Sequence, residues 1–277
     1  MNIVTIGDRK IFAQFDDILE YVEYAEAVPD SNYSKTRKDY EWCGGSFADA
    51  VKQAREGNPD LVKDFFDGAN VIAAMIEEER TGEIRDVTGE YFDVADYLSG
   101  EPEVFRRDEY GERKPVVPVY ASFSMHCGIS VELIKNRGIA ITALCDELSK
   151  SGFIVDLNVV HAVAFNGKDY YTKIKLQNDP MDVDTLAFCM ANPLNLRRLW
   201  FALLEHVTGK PQCYGYGTPK EYDLQEIFDT GLSGFYFTSS NHDVYREHNY
   251  RTLKNAKDHV LAMIEKFKDS AEQVILG

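Results

Sequence analysis

The sequence predicts an α/β chain, a mostly parallel sheet with an antiparallel edge strand, preceded by an acidic and mainly helical region. Three observations carry this. Residues 116–177 read in order as strand, loop, helix, strand, tight turn and strand. Within them an Asn166-Gly167 pair separates two β-type runs, the strongest short-range hairpin signal. From about residue 14 to 112, by contrast, the chain is acidic and carries helix-type spacing of its apolar residues.

Taken in chain order, Phe15, Ile18, Leu19 and Val22 form one amphipathic face, and Val71, Ile72, Met75 and Ile76 another. Between them, Gly44-Gly45 turns the chain and Ser46 caps a helix that turns Phe47, Ala50, Val51 and Ala54 to one side. Trp42 reads as a buried anchor beside that turn. Residues 77–113 hold Glu77-Glu78-Glu79, Asp86, Glu90, Asp93, Asp96, Glu101 and Glu103, a density that reads as solvated surface. The mixed-charge run from Arg106 to Lys114 marks a boundary. It divides an acidic, mainly helical region, 1–112, from an α/β domain, 113–277.

The domain opens with the apolar strand Val116–Tyr120 and the loop Ala121-Ser122-Phe123-Ser124-Met125. A helix begins near Ser130, with Val131, Ile134, Ile141, Leu144, Cys145 and Leu148 on one face, and ends at Gly152. Phe153–Phe165 is nearly continuously apolar toward its end, as a central strand covered on both faces would be. After the Asn-Gly turn, Tyr170–Gln177 alternates polar and apolar residues and carries lysines, which suits a sheet edge. Val183–Met190 is helical and stops at Asn192 because Pro193 follows. A second helix then turns Leu196, Leu199, Trp200, Leu203, Leu204 and Val207 inward, until Gly209 and Pro211 end it. Tyr214-Gly215-Tyr216-Gly217-Thr218-Pro219 lacks the Lys-Ser/Thr of a phosphate-binding loop and reads as a turn, with a recognition loop as the alternative. Leu232–Ser239 is a buried strand and Tyr250–Phe267 a final amphipathic helix. The loop between them holds His242, Asp243 and His248.

Composition bounds the function. The chain has 277 residues, 44% hydrophobic and 12% aromatic, enough for a real core. Its 46 acidic and 30 basic residues give −16, a field that repels nucleic-acid backbones and anionic lipid surfaces. Arg197-Arg198 and Lys254 with Lys257 come nearest to a basic patch and read as solvated helix faces. There is no apolar run of about 18 residues and no basic start followed by an apolar stretch, so neither a membrane span nor an export signal is expected. Cys43, Cys127, Cys145, Cys189 and Cys213 are odd in number and form no C-x-x-C pair, which points to a reducing cytoplasm.

Open α/β sheets bind ligands at the carboxyl ends of their strands. The candidate binding residues are therefore Ser122, Ser124 and His126 after the first strand of the domain, with His242 and Asp243 after the last. This order of elements resembles the von Willebrand factor A-like fold, a Rossmann-like sheet. In that family the first strand ends in Asp-x-Ser-x-Ser, which with a Thr and an Asp from later loops holds Mg²⁺. Here one register puts Ala121 at the Asp and Phe123 at the first Ser, and the other puts Tyr120 at the Asp with Ser122 and Ser124 at the serines. Neither keeps the carboxylate on which a hard cation depends. Ser122, Ser124, Asp184, Thr185 and Asp243 are the remaining candidate metal oxygens, and no resident cofactor is expected, Mg²⁺ being the one metal the resemblance implies. His126-Cys127 shows no orienting carboxylate in sequence, so no catalytic dyad is assigned.

The chain also resembles a group of uncharacterised tailed-bacteriophage proteins. The resemblance rests on Trp42-x-Gly-Gly-Ser-Phe47-x-x-Ala50, on Asp93 through Glu103, and on Ile129-Ser130-x-Glu132 through Leu144. It implies an infected bacterial cytoplasm. The expected function is a non-catalytic protein-interaction module acting through the sheet-end loops. The alternatives are a hydrolase or transferase using Ser124, His126, Asp184, His242 or Asp243, and a phage structural or nucleic-acid-associated component.

Overall fold

The computed structural model describes residues 2–6, 10–63, 67–68, 70–71, 85–86, 91–92, 105–106, 116–150, 153–176, 183–209, 216, 218–219, 235–237 and 249–276. Their architecture is an α/β fold built on a mixed sheet. The strands are β1 (Asn2–Ile6), β2 (Lys10–Phe15), β6 (Val116–Ser122), β7 (Ile154–Phe165), β8 (Lys168–Lys175), β9 (Thr218–Pro219) and β10 (Phe235–Phe237). Two-residue strands β3 (Arg85–Asp86), β4 (Tyr91–Phe92) and β5 (Phe105–Arg106) form a separate small sheet in the order β3-β5-β4.

The main sheet runs β1-β2-β8-β7-β6-β10, and β9 pairs with β7 off this path. β10, β6 and β7 are mutually parallel neighbours, β8 is antiparallel to β7, and β2 runs parallel to β8. The Asn-Gly turn joins β7 to β8 as the sequence requires, with Asn166 and Gly167 at φ 50° and 74°, the pair of positive angles that a type I′ turn needs. β7 is central, as expected.

The edge assignment of β8 is overturned. β2 lies against its outer side in the register Lys10↔Asp169 through Phe15↔Ile174, and β1 closes the sheet beyond it. Tyr170, Tyr171, Thr172 and Ile174 are buried, and burial lowers the pKa of the half-buried Lys173 ammonium. The lysines follow the two-residue alternation of a strand, and that alternation does not tell a covered strand from an edge. The reading of 1–112 as mainly helical also contained neither β1 nor β2. Among the described residues, one core cluster runs from Ala13 through Val117 and Trp200 to Ile264 and draws on both sides of the composition boundary near residue 112.

The helices are α1 (Ile18–Ala27), α2 (Tyr33–Thr36), α3 (Tyr40–Cys43), α4 (Phe47–Glu56), α5 (Val131–Lys150), α6 (Val183–Ala191), α7 (Phe201–Thr208) and α8 (Leu253–Leu276). Ser46 opens α4 with a reciprocal capping box: its Oγ accepts from the Asp49 amide while its own amide donates to the Asp49 carboxylate, which holds that carboxyl below its usual pKa. Ser130 caps α5 by accepting from the Leu133 amide. α5 packs on β7, α6 and α8, whereas α1 packs on β2 and β8. Among the described residues no helix is long and apolar enough to cross a membrane.

Between α6 and α7 the chain makes a π-helical turn, Asn195–Trp200. Such wide turns are rare and concentrate at functional sites. This one carries Arg197 and Arg198, which the sequence reading placed on a solvated face. That reading is corrected, since both are buried, at 3% and 0% exposure, as is Lys257. Arg198 donates to the carbonyls of Gly45 (2.9 and 2.7 Å), Ser34 (2.8 Å) and Arg37 (3.1 Å), and so ties the turn to the N-terminal helices. A buried guanidinium is tolerable only when its donors are met in this way.

Candidate functional site

Where β6 ends, the loop Phe123–Ser130 meets the π turn, α7, Trp42, Tyr216 and Pro219 around a cavity of about 280 Å³. Trp42, Trp200, Phe201 and Tyr216 supply aromatic wall, Met125, Val163, Leu196 and Pro219 supply aliphatic wall, and Ser124, His126, Cys127 and Arg197 are its polar lining. The walls brace one another. Phe201 and Tyr216 stack with ring centroids 3.5 Å apart, Trp42 stacks on Phe201 at 6.2 Å, and Trp200 donates through Nε1 to Thr172 Oγ1 at 3.3 Å. Tyr216 is held from behind by its hydroxyl, which donates to Glu205 Oε1 at 2.6 Å; burial and then that carboxylate push its pKa upward. Glu205, itself buried, also accepts from the Ser34 amide at 2.9 Å and the Ser34 hydroxyl at 2.8 Å.

Three of the four polar lining groups hold local structure. Ser124 Oγ accepts from the Ala162 amide at 2.6 Å, which fixes the loop to β7. His126 Nδ1 accepts from the Gly128 amide at 3.1 Å, which makes Nε2 the protonated nitrogen when the ring is neutral; Cys127 Sγ lies 4.0 Å from the same Nδ1. His126 and Cys127 are exposed at the rim, whereas the other described cysteines, Cys43, Cys145 and Cys189, are buried. Arg197 donates to the carbonyls of Trp42 and, at 3.4 Å, of Ile129, and its guanidinium lies 4.3 Å over the Trp42 ring. That of Arg37 lies over the same ring at 4.7 Å. Burial lowers the Arg197 pKa from its ordinary value, and Asp39, itself paired with Arg37 at 3.1 Å, acts against that shift as a nearby charge. Arg197 is the one arginine or lysine among the described lining residues, which include no Asp or Glu.

The sequence-predicted residues divide accordingly. Ser124 and His126 line the cavity, while Ser122 is buried at the end of β6. Asp184 and Thr185 begin α6, with Asp184 against Gly57, and neither lines the cavity. His242 and Asp243 lie outside the described residues. Among those described, no group of three His, Cys, Asp or Glu side chains is placed to hold a metal ion. Sequence reasoning missed Arg197 and the wall role of Trp42, since the contacts that define them come from segments about 150 residues apart. Tyr216 and Pro219, from the glycine and aromatic loop, line the cavity.

No curated protein and no solved structure matches the chain. A family model described as a domain of unknown function, DUF7192, matches residues 2–268, and the chain therefore belongs to that family.

Proposed function

We propose that this chain is a non-catalytic protein-interaction module that receives its partner on the loop face at the end of β6, with the aromatic-walled cavity as the anchor point. One observation carries this. Three of the cavity's four polar groups serve the fold, Ser124 through the Ala162 amide, His126 through the Gly128 amide and Arg197 through backbone carbonyls, and its surface is mainly aromatic and aliphatic. Desolvated aromatic pockets of this kind are where interfaces concentrate their binding energy.

The same reading takes the scaffold for a von Willebrand factor A-like sheet that has lost its metal carboxylate. Its support is the order β8-β7-β6-β10, with β8 alone reversed among these four, and the buried, uncharged Tyr120 and Ala121 at the two alignments of the missing Asp. It assigns the chain to the cytoplasm of a phage-infected bacterium, in keeping with the free thiols of Cys43, Cys127, Cys145 and Cys189. The test is affinity capture from infected cells with the wild-type chain and with Cys127→Trp, which plugs the cavity from its exposed rim. A protein retained by the wild type and lost by the variant is the expected result. Recovery of no partner, together with turnover of a small molecule, rejects the proposal.

A further inference from the structure

The cavity also constrains what the partner presents, an inference that rests on the docking reading above. Its aromatic surfaces, Trp42, Trp200, Phe201 and Tyr216, suit a flat ring. Its volume, about 280 Å³, lies just below the roughly 300–1,000 Å³ of drug-sized ligand sites, so the occupant is small, on the scale of one residue. Its wall contains the guanidinium of Arg197, which is 3% exposed, and no Asp or Glu stands among the described lining residues. A guanidinium has five N–H donors, and the carbonyls of Trp42 and Ile129 engage Nη1 and Nη2. The remaining donor capacity, and a charge that Asp39 offsets only from within its own pair with Arg37, favour an anionic group, and a carboxylate fits the planar fork. The molecule's −16 net charge works against a polyanion and leaves room for an occupant with a single negative group.

A ring and a carboxylate on the same residue, in a space sized for one residue, describe the end of a polypeptide. An internal aromatic residue followed by Asp or Glu would have to pass its backbone through the cavity to present both. We infer that the anchor is a C-terminal aromatic residue of the partner protein, its ring between the aromatic walls and its α-carboxylate on Arg197.

The chain's two tryptophans, Trp42 and Trp200, both line the cavity, so intrinsic fluorescence reports on this site. The probes are a tetrapeptide ending in phenylalanine with a free carboxylate, the same peptide as its amide, and free 3-phenylpropionate. The expected result is that the acid binds at least tenfold more tightly than the amide, that Arg197→Gln abolishes this preference, and that the bound acid slows alkylation of Cys127, the exposed rim thiol. Arg197→Lys, which keeps the charge while changing the fork, should retain part of the preference, and circular dichroism of each variant guards against loss of fold. Equal binding of acid and amide, or binding of neither while partner capture still depends on the open cavity, overturns the C-terminal inference and leaves the docking reading in place. Binding of 3-phenylpropionate as tight as that of the peptide overturns the inference by making this a small-molecule site, and it counts against the docking reading as well.

Discussion

His161 sits on β7 with 0% exposure, its ring stacked on Trp200 at 5.0 Å and edge-on to Phe123 at 6.2 Å. Neither ring nitrogen has a hydrogen-bond partner among the described residues, and burial depresses its pKa from 6.5 to about 3. The neutral ring therefore serves as an aromatic filler behind the Trp200 wall. Its folded pKa lies below its unfolded one, so the unfolded chain binds more protons between these values. The contribution to stability is complete above about pH 6.5 and is lost as the pH falls toward 3. Moving from neutral pH to about pH 4.5 should cost roughly 2–3 kcal/mol through this residue alone. Urea unfolding of wild type and His161→Phe at both pH values isolates the term from the carboxylates that titrate in the same window. The variant should show a smaller acid loss by about that amount. An equal loss in both chains would mean that the imidazole is not the source.

Among the elements, the contact between α5 and α6 is set by a residue without a side chain. A Cβ placed on Gly138 would lie 2.5 Å from the Met190 carbonyl oxygen, a backbone atom that cannot swing aside. Gly138→Ala should force the two helices apart and cost about 1–3 kcal/mol, read as a lower thermal midpoint with little change in secondary structure. A neutral or stabilising effect, as at an open helical glycine, would show that the helices have room to separate. The π turn works at the same scale. By widening one helical turn it aims Arg198 at the Gly45 and Ser34 carbonyls while the adjacent Arg197 faces the cavity. Helical periodicity in the sequence located Leu196, Leu199 and Trp200 on the inner side correctly. It could not show that two consecutive arginines also go inward, because that depends on carbonyls from another part of the chain.

For the molecule as a whole, the first fifteen residues matter more than their composition suggests. β2 covers β8 by parallel pairing, and its Ala13 and Phe15 belong to the core. A chain beginning after Phe15 would expose the unpaired ladder of β8, an open edge that invites pairing with another copy. Such a truncation should self-associate, seen as a larger species by size-exclusion chromatography with light scattering, while the full chain under the same conditions does not. A truncated chain that behaves as the full one does would show that β1 and β2 are dispensable for covering the sheet.

The local elements were determined by the sequence itself: the Ser46 capping box, the Ser130 start of α5, the Asn166-Gly167 hairpin, the central β7 and the helix stop before Pro193 each arise from neighbours within a few residues. The sequence also pointed to the end of β6, where Ser124 and His126 line the cavity on which the proposed function rests. Tertiary structure decided the rest. The neighbour of β8, the burial of Arg197 and Arg198 and the aromatic enclosure all depend on pairings between distant segments, 153 positions apart for Arg198 and Gly45. Such pairings are set by which surfaces bury best together, a property of the assembled chain that no short window of sequence contains.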